Sequence, residues 1–299
     1  MKNHFSRIAL VGKVEDARVA DSLALLATHL RARGVTVFVD REAIVEGLPD
    51  GLERRRVAEL GQEADLIVAI GGDGTLLFAA QLALGRGIPL LGVNRGRLGF
   101  LTDVLPDEMI GNVDAVLEGR FQTDERALLA AKLEQPDGSA LEYRALNDVV
   151  VQRQDTGRML ELQVSIDGCF VNTHGGDGLV IASSTGSTAY ALSCGGPIIH
   201  PSLGAVVIAP ISPHTLSDRP IVIARESRIE IRLVARSGTR AQVSCDGAHF
   251  GALEPESRLA IGPAPDRITL LHPPGHDYYR LLRSKLHWGR SARAGGEEF

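Results

Sequence analysis

Short apolar segments alternate with amphipathic ones through the first hundred residues, and this alternation restricts the fold more than any other feature of the chain. Two segments, the one ending at Gly34 and residues 75–84, space their apolar residues as helices do. Four others have the length and apolar character of buried strands: residues 7–12, 35–39, 65–70 and 88–93. Elements in this order form a parallel sheet with helices on its faces, so this region is predicted to be an α/β domain.

A second pattern begins near Phe121, where the helical period gives way to alternation. Residues 158–166 alternate apolar with polar side chains and lead into the turn pair Asp167-Gly168, as a half-buried hairpin strand does. Helical spacing returns over residues 277–288. Similar strand-like segments recur before it, at residues 205–211, 221–224, 229–234, 241–245 and 267–271. A second, mostly β domain is therefore expected.

The composition excludes several classes of partner and location. Thirty-two Lys and Arg against thirty-seven Asp and Glu give a formal charge of −5, so nucleic acid and membrane lipid are not expected partners. No stretch approaches the roughly 18 apolar residues of a membrane span, and the apolar run at 8–11 is too short for a secretory signal. Cys169, Cys194 and Cys245 form no CxxC pair, which argues against disulfides and cysteine zinc sites. A cytoplasmic protein with reduced thiols is predicted.

The most informative motif is Gly71-Gly72-Asp73-Gly74-Thr75, between a buried strand and a predicted helix. The first N–H groups of a helix have no partner within it and carry partial positive charge, and glycines allow a phosphate to approach the backbone. At the carboxyl end of a parallel strand, such a junction predicts a phosphate-binding site that contains one carboxylate. The alternative is a tight turn in which Asp73 or Thr75 only caps the helix.

A second glycine-rich loop, residues 94–101, follows the next strand and is expected at the same edge of the sheet. Arg95 or Arg97 can offer cationic donors to phosphate oxygens there, although exposure to solvent explains either arginine as well. The common nucleotide fingerprints are absent, because Gly12-Lys13 is followed by Val14 rather than Ser or Thr and no GxGxxG follows a strand. A dehydrogenase is therefore not favoured.

The third segment, residues 176–193, leads from an acidic turn through an apolar strand into a hydroxyl-rich loop that contains Tyr190. Small donors beside one ring suit a purine-ribose pocket. The alternative is a serine-rich loop in which Ser187 or Thr188 caps a helix. Ser187 lacks the GxSxG surroundings of an esterase nucleophile.

The histidines of the C-terminal region do not predict a metal site. His272 and His276 lie four residues apart, but Pro273-Pro274-Gly275 between them forbids the helix that a zinc-binding pair at this spacing needs. No metal site made of protein ligands alone is therefore expected.

Taken together, the motifs resemble those of the NAD kinase family in its bacterial form. The matching segments are GGDGT at Gly71, NRGxLGFL at Asn94, NDVVV at Asn147, GDGLxxxxxTGSTAYxLSxGGP at Gly176, and PHTLS with the following RP at 213–220. The likeness extends from Arg7 to Trp288. GGDGT alone is shared with phosphofructokinases and lipid kinases, whereas the TGSTAY segment at this position is specific.

This resemblance implies a fold. It consists of an N-terminal Rossmann-like α/β domain, a C-terminal antiparallel β-rich, sandwich-like domain, and a final helix that packs back on the N-terminal domain. The implied boundaries are residues 1–122 joined by 276–299 for the phosphate-binding domain, and residues 123–275 for the NAD-binding domain.

The resemblance also implies an activity, the ATP-dependent phosphorylation of the 2′-hydroxyl of the adenosine ribose of NAD to give NADP. NAD and ATP are then the small-molecule substrates, with a divalent metal (Mg²⁺) carried by the ATP phosphates. On this interpretation Asp73 orients the hydroxyl and accepts its proton. Family members assemble as dimers or tetramers, so a homodimer or homotetramer is expected.

The other site residues that the resemblance implies are binding residues. Near the phosphates these are Gly72, Gly74, Thr75 and Asn94. Asn147 and Asp148 hold the dinucleotide and Asp177 meets its nicotinamide end. The adenine end is surrounded by Thr188, Ala189, Tyr190, Ala191, Leu192 and Ser193. Arg158, at a basic position of the family, reaches the ligand directly or from a neighbouring subunit, and His174 is a further candidate.

The sequence departs from the family pattern at several positions. Asp148 stands for Glu, Ser184 for Pro, and Ala248 for a common Gln. Gly175 replaces an Arg that tends to accompany strict preference for oxidised NAD, so acceptance of NADH is open, as is ATP against polyphosphate as the donor. The alternatives are a lipid or sugar kinase with the same GGDGT motif, and a non-catalytic dinucleotide sensor.

Overall fold

The computed structural model of the chain describes residues 3–96, 99–154, 159–234 and 240–288. Its strands are β1 (Arg7–Gly12), β2 (Thr36–Asp40), β3 (Glu53–Arg55), β4 (Leu66–Gly71), β5 (Leu90–Asn94), β6 (Gln122–Glu134), β7 (Ala140–Ala145), β8 (Asp148–Arg153), β9 (Leu160–Ile166), β10 (Cys169–Gly176), β11 (Gly178–Ser183), β12 (Ala205–Ile211), β13 (Ile221–Ala224), β14 (Ile229–Leu233), β15 (Ala241–Cys245), β16 (Ala248–Leu253) and β17 (Arg258–His272). Its α-helices are α1 (Ala17–Ala32), α2 (Leu60–Glu63), α3 (Asp73–Ala83), α4 (Met109–Leu117), α5 (Tyr190–Ser193) and α6 (Tyr278–Leu286). Short 3₁₀ helices cover Val57–Glu59, Pro106–Glu108 and Thr185–Thr188.

The chain divides into two compact units. The first unit contains Met1–Asp124 and Thr269–Phe299, and the second contains Glu125–Ile268. The last residues of β17 and all of α6 therefore belong to the same unit as β1 to β5. None of the described helices has both the length and the apolar character that crossing a membrane requires.

In the first unit, strands lie parallel in the order β3-β2-β1-β4-β5, and the end of β17 pairs in parallel with β5. This is the Rossmann order, in which the chain builds outward from β1 first on one side and then on the other. Central strands covered on both faces are apolar throughout, and every residue of β4 is buried. The predicted α/β class of this region is confirmed.

Helix α1 covers one face of this sheet. Asp16, which was not predicted as a cap, accepts from the N–H of Arg18 in its first turn. Gly34 follows the helix with a φ of +74°, at the position where the sequence predicts the helix to end. Its side chains Leu26 and Leu30 are fully buried in the core of the unit, where each contributes about 2 kcal/mol by leaving water. Helix α4 packs Val113 and Val116 into the same core and was not predicted.

The second unit contains two packed sheets. One is antiparallel, in the order β13-β12-β11-β8-β15-β16, and the other pairs β10-β9-β14 with β17. Side chains from both sheets meet in one core, for example Val151 and Ile181 from the first with Leu162 and Ile231 from the second. The expected antiparallel, sandwich-like domain is therefore confirmed.

The outer face of the six-stranded sheet carries the segment that follows β11. Ala191 and Ile199 of this segment pack on Val180 and Val207 of the sheet. The hydroxyl-rich loop is thus held on a rigid surface, as binding loops commonly are. The three cysteines are free thiols, of which Cys245 is buried and Cys169 exposed.

Candidate active site

The phosphate-binding motif lies where β4 ends and α3 begins. In the observed strand order, chain connections leave β1 and β4 in opposite directions, so a crevice is expected at the carboxyl ends of these two strands. Gly12 of β1 pairs with Ile70 of β4 at this edge, one residue before the motif. A cavity of about 370 Å³ opens beside it and is lined by Lys13, Asp40 and Phe78, among others. The first unit therefore has ligand-sized space next to its glycine junction.

The glycines of the junction leave its backbone open. A Cβ placed on Gly72 or Gly74 would meet no atom within 4 Å, so packing does not require glycine at either position. A Cβ on Gly71, in contrast, would lie 2.3 Å from Oγ1 of Thr75, so Gly71 is required by the turn itself. The N–H groups of Asp73 and Gly74 open α3, where no earlier turn can accept them. This combination of open space and unpaired donors suits an anionic group.

The Asp73 carboxylate is held by the loop that follows β5. Its Oδ2 accepts from the N–H of Phe100 at 2.8 Å, and its Oδ1 accepts from the N–H of Leu101 at 3.0 Å and from Oγ1 of Thr102 at 3.3 Å. A Cβ on Gly99 would lie 1.9 Å from Oδ1, so a side chain there would displace the carboxylate. The alternative in which Asp73 or Thr75 caps α3 is wrong, because the N-cap is Gly72 and Asp73 is the first helical residue.

Asn94 extends this network to the end of β5. Its Nδ2 donates to Oγ1 of Thr102 at 3.1 Å, and its Oδ1 accepts from the N–H of Gly96 at 2.7 Å. The Thr102 hydroxyl thus accepts from Asn94 and donates to Asp73, which fixes the rotamers of both side chains. Sequence reasoning missed Thr102, although a hydroxyl eight residues after Asn94 in a glycine-rich loop was a usable signal.

Among the described residues, no arginine of this loop points to the phosphate site. Nε of Arg95 donates to the carbonyl of Arg18 in α1 at 3.0 Å, which directs this guanidinium toward the helix. Arg97, the other expected donor, lies outside the described residues.

In the second unit, two carboxylates adjoin the start of β8. The Asp246 carboxylate accepts from the N–H groups of Leu146, Asn147 and Asp148 at 2.8, 2.7 and 3.2 Å. Burial, and then the charge of Asp246, raise the pKa of Asp148 to about 7. Burial also raises the pKa of Asp246, although the three N–H donors oppose it. Near neutral pH, Asp148 is therefore present both as a carboxylate, which only accepts hydrogen bonds, and as a neutral carboxylic acid, which also donates one.

The hydroxyl-rich loop packs against the same strand. A Cβ on Gly186 would lie 2.1 Å from the carbonyl oxygen of Asn147, so only glycine allows this approach. Ser183 donates from Oγ to the carbonyl of Leu146 at 2.5 Å. Ser187 is buried, donates to the carbonyl of Ser184 at 2.7 Å and accepts from the N–H of Ile199 at 3.0 Å. The alternative of a capping Ser187 or Thr188 is wrong, because the N-caps are Ser184 and Ala189.

Several of the sequence-derived binding residues share this surface of the second unit. Burial raises the pKa of Tyr190, and the charges of Cys194, Asp177 and Asp148 raise it further, so these groups lie within electrostatic range of the ring. Tyr190 is nevertheless 39% exposed and its ring can be reached by a ligand. The Oδ1 of Asn147 is buried and has no hydrogen-bond partner among the described residues, as expected of an acceptor kept for a ligand.

The other binding residues predicted from the sequence differ in burial and in hydrogen bonding. The Thr188 hydroxyl donates to the carbonyl of Thr185 at 3.3 Å, Ala189 and Leu192 are half-buried, and Ser193 is exposed. The methyl group of Ala191 is fully buried in the core, so only its backbone can face a ligand. Arg158 lies outside the described residues.

Asp177 and His174 each have a charged partner. Asp177 pairs with Nε of Arg153 at 3.2 Å. His174 is 1% exposed and pairs through Nδ1 with Asp218, which also accepts from Nδ2 of Asn172 at 3.3 Å. His174 Nε2 is buried and has no hydrogen-bond partner among the described residues.

The fold and the site together define a nucleotide-binding α/β protein of the phosphotransferase type, with an oriented carboxylate at an anion-binding helix terminus. Residues 21–121 match the ATP-NAD kinase N-terminal domain, and residues 146–272 match the ATP-NAD kinase C-terminal domain. NAD kinase from Nitrosococcus oceani is 45% identical over 97% of this chain and 99% of its own length. NAD kinase from Methylococcus capsulatus is 43% identical over 96% and 99%. The chain belongs to the NAD kinase family.

Solved structures agree with this assignment. Yeast NADH kinase complexed with NADH superposes with a TM-score of 0.88 at 25% identity, covering 96% of this chain and 89% of that one. An NAD kinase from Archaeoglobus fulgidus in complex with ATP superposes with a TM-score of 0.73 at 26% identity, covering 94% and 98%. The resemblance inferred from the motifs and the phosphotransferase class are therefore confirmed, and the lipid or sugar kinase and sensor alternatives are not favoured.

Proposed function

We propose that this protein transfers the γ-phosphoryl group of ATP to the 2′-hydroxyl of the adenosine ribose of NAD, which yields NADP and ADP. The observation that carries the proposal is the Asp73 carboxylate, held by three donors at the open N-terminus of α3. Family membership supports the choice of substrates, because the solved relatives bind NADH and ATP.

Asp73 has the geometry of an acceptor for a hydroxyl proton. Its Oδ1 already accepts two hydrogen bonds, whereas Oδ2 accepts one from among the described residues and keeps a lone pair for a ligand. As the 2′-oxygen bonds to the γ-phosphorus and the bond to the ADP oxygen breaks, the hydroxyl proton passes to Oδ2. In a loose transition state this proton leaves late, so alignment by Asp73 contributes more than its basicity.

The phosphate site fits a magnesium-bound nucleotide. Gly72 and Gly74 leave space that a Cβ would otherwise fill, and the N–H groups of Asp73 and Gly74 lie in the first turn of α3, where phosphate oxygens can accept from them. When bound, Mg²⁺ neutralises the charge of the phosphates. We assign no protein-only ligand set to it, because Mg²⁺ prefers phosphate and water oxygens.

For the dinucleotide, we propose the surface of the second unit formed by Asn147, Asp148, Asp177, Thr188 and Tyr190. The unpartnered Oδ1 of Asn147 supplies an acceptor, and Asp148, with its pKa near 7, supplies a donor or an acceptor for ribose hydroxyls. The exposed face of Tyr190 supplies a ring for stacking. The family resemblance supports all five positions.

The decisive test is incubation of the purified protein with Mg-ATP and NAD, followed by assay for the 2′-phosphorylated product. NADH is assayed in parallel because Gly175 stands where the family pattern has Arg, and polyphosphate is assayed as an alternative donor. Metal-dependent NADP formation is expected. Binding of NAD without product would indicate the sensor instead, and phosphorylation of only a lipid or sugar alcohol would indicate another kinase class.

The expectations of a homodimer or homotetramer and of a cytoplasmic location stay predictions. Light scattering of the purified protein tests the first, and cell fractionation tests the second.

A further inference from the structure

Asp103, His272 and His276 converge in the first unit, and none of the three has a role in the site described above. Nδ1 of His272 and Nδ1 of His276 lie 2.9 and 2.5 Å from the same atom, Oδ2 of Asp103. One ligand atom from each residue lies within 4.8 Å of the other two. His272 is 3% exposed, and Asp103 and His276 are each 14% exposed. Two imidazole nitrogens therefore meet one carboxylate oxygen.

A turn rather than a helix brings the two histidines together. His272 ends β17, Gly275 adopts a φ of +90°, and the chain reverses so that the His276 ring stacks on the His272 ring at 3.7 Å and 16°. Pro273-Pro274-Gly275 excludes a helix between the two histidines, as the sequence predicts. The same segment forms the turn that brings their rings into contact. Sequence reasoning that considered only a helical pair therefore missed the cluster.

The surroundings of the cluster are those of a metal ligand set. Oδ1 of Asp103 is buried without a hydrogen-bond partner among the described residues. Nε2 of His272 lies 3.6 Å from Oδ2 of Asp124. At this distance the two atoms form no hydrogen bond, and His272 Nε2 has no hydrogen-bond partner among the described residues. A small shift of either side chain would form the carboxylate–histidine contact that orients metal-ligating histidines.

We propose that Asp103, His272 and His276 bind one divalent transition-metal ion of the zinc class. Two imidazoles and one carboxylate suit Zn²⁺ and its neighbours, whereas Mg²⁺ prefers oxygen ligands alone. Its protein ligands differ in kind from the phosphate and water oxygens that Mg²⁺ prefers, and the proposal does not rest on the proposed function.

Binding requires a small rearrangement that the structure can accommodate. Ligand atoms on one tetrahedral ion lie roughly 3.3 Å apart, given bonds of about 2.0–2.1 Å, so the three atoms must separate slightly. The stacked rings must also splay until both Nδ1 atoms point at the ion. A cavity of about 290 Å³ borders Asp103 and His276, with Glu108, Asn112 and Asp277 in its wall. This cavity leaves room for the His276 ring to move and provides a path by which the ion can enter. It also has space for a water molecule as the fourth ligand.

The ion would join the segment after β17 to the loop after β5. Asp103 directly follows Thr102, whose hydroxyl donates to Asp73, so the same loop carries the catalytic carboxylate's donors. The expected role is structural: it stabilises the first unit and this loop.

The test is titration of the untagged, chelator-treated full chain with Zn²⁺ in the presence of millimolar Mg²⁺. One equivalent should bind, Co²⁺ in its place should show the visible absorption of a four-coordinate site, and saturation should raise the Tm by about 5 °C or more. His276→Asn should weaken Zn²⁺ binding about 100-fold or more. Asp103→Asn should do the same, which covers the case in which one variant folds poorly.

His29→Asn is the matched control. His29 also pairs with an aspartate of the first unit, Nε2 to Oδ1 of Asp114 at 2.7 Å, but lies outside the cluster, so this variant should bind Zn²⁺ as the parent does. Sub-stoichiometric binding by the parent chain, or equal affinity in the parent and His276→Asn, would overturn the proposal.

Discussion

The two units use buried or half-buried aspartates in opposite ways. In the first unit, Asp73 is contacted by three donors of one loop, and the space beside it is open. In the second unit, Asp148 and Asp246 lie near each other, and both have a raised pKa because burial disfavours their charges. The first arrangement orients one hydrogen-bond acceptor toward a reacting group. In the second, a carboxyl group can be either protonated or ionised near neutral pH, so it can donate to a ligand or accept from it. We therefore expect turnover to depend on the first unit and ligand affinity to depend on the second.

Asp73→Asn should have the largest effect. The amide keeps an oxygen for part of the loop contacts but loses the acceptor that aligns the hydroxyl, so kcat should fall about 10³–10⁴-fold. The KM for NAD should change only a few-fold. Thr102→Val is the control, since it removes one of the three donors to Asp73, together with the acceptor for Asn94, and leaves the carboxylate. It should lower kcat less than about tenfold. Near-parental turnover in Asp73→Asn would remove Asp73 from the mechanism and break the contrast between the units.

Asp148→Asn tests the electrostatics of the second unit. With its pKa raised to about 7 in the folded state, Asp148 retains a proton that the unfolded chain releases above about pH 4. Stability should therefore fall as pH rises from about 4 to 7, by about 3 kcal/mol from this group. Asp148→Asn should flatten this slope in urea unfolding, whereas Asp21→Asn, an exposed position on α1, should leave it unchanged. If the unfolding free energy of Asp148→Asn depended on pH as steeply as that of the parent, Asp148 would not be the group with the raised pKa.

Asp246→Asn separates hydrogen bonding from charge. The amide presents one oxygen where two accept three backbone N–H groups, so the unfolding free energy should drop by about 2 kcal/mol. The measurement belongs near pH 5, where Asp148 is protonated in the folded state. No change in the urea midpoint would show that Asp246 does not support this backbone segment.

Tyr190→Ala should have the smallest effect. Loss of the ring should raise the KM for NAD about tenfold with little change in kcat, because stacking on a half-exposed ring contributes about 1–2 kcal/mol. Tyr190→Phe, which keeps the ring, should stay close to the parent. An unchanged KM in Tyr190→Ala would indicate that Tyr190 serves only packing.

Much of the fold could be predicted because its signals are local. The β4–α3 junction follows from an apolar run and glycines, and the Asp167-Gly168 hairpin turn is observed with positive φ at both residues, 51° and 79°. β17 shows the limit. Only residues 267–271 were predicted, yet the strand runs from Arg258 to His272 and includes Gly262 and Pro263, two residue types that disfavour strand interiors. Its pairing with β14, β5 and β6 outweighs the local preference.

The site was predictable only where its residues are neighbours in sequence. Asp246 contacts the N–H of Asp148 across 98 positions of the chain, and no local pattern marks this contact. The contact of Asp103 with His272 likewise spans 169 positions of the chain. Contact with phosphate and exposure to solvent were both open for Arg95, but its side chain donates to a carbonyl of α1, 77 positions away.

By itself the sequence determined the class of each unit, the glycine junction and the family, because periodicity, turn glycines and ordered motifs act over a few residues. Only the tertiary structure decided which donors hold Asp73, why the pKa of Asp148 lies near 7, and that two histidines share one carboxylate. Those properties depend on burial and on contacts between distant segments, which exist only once the chain has folded.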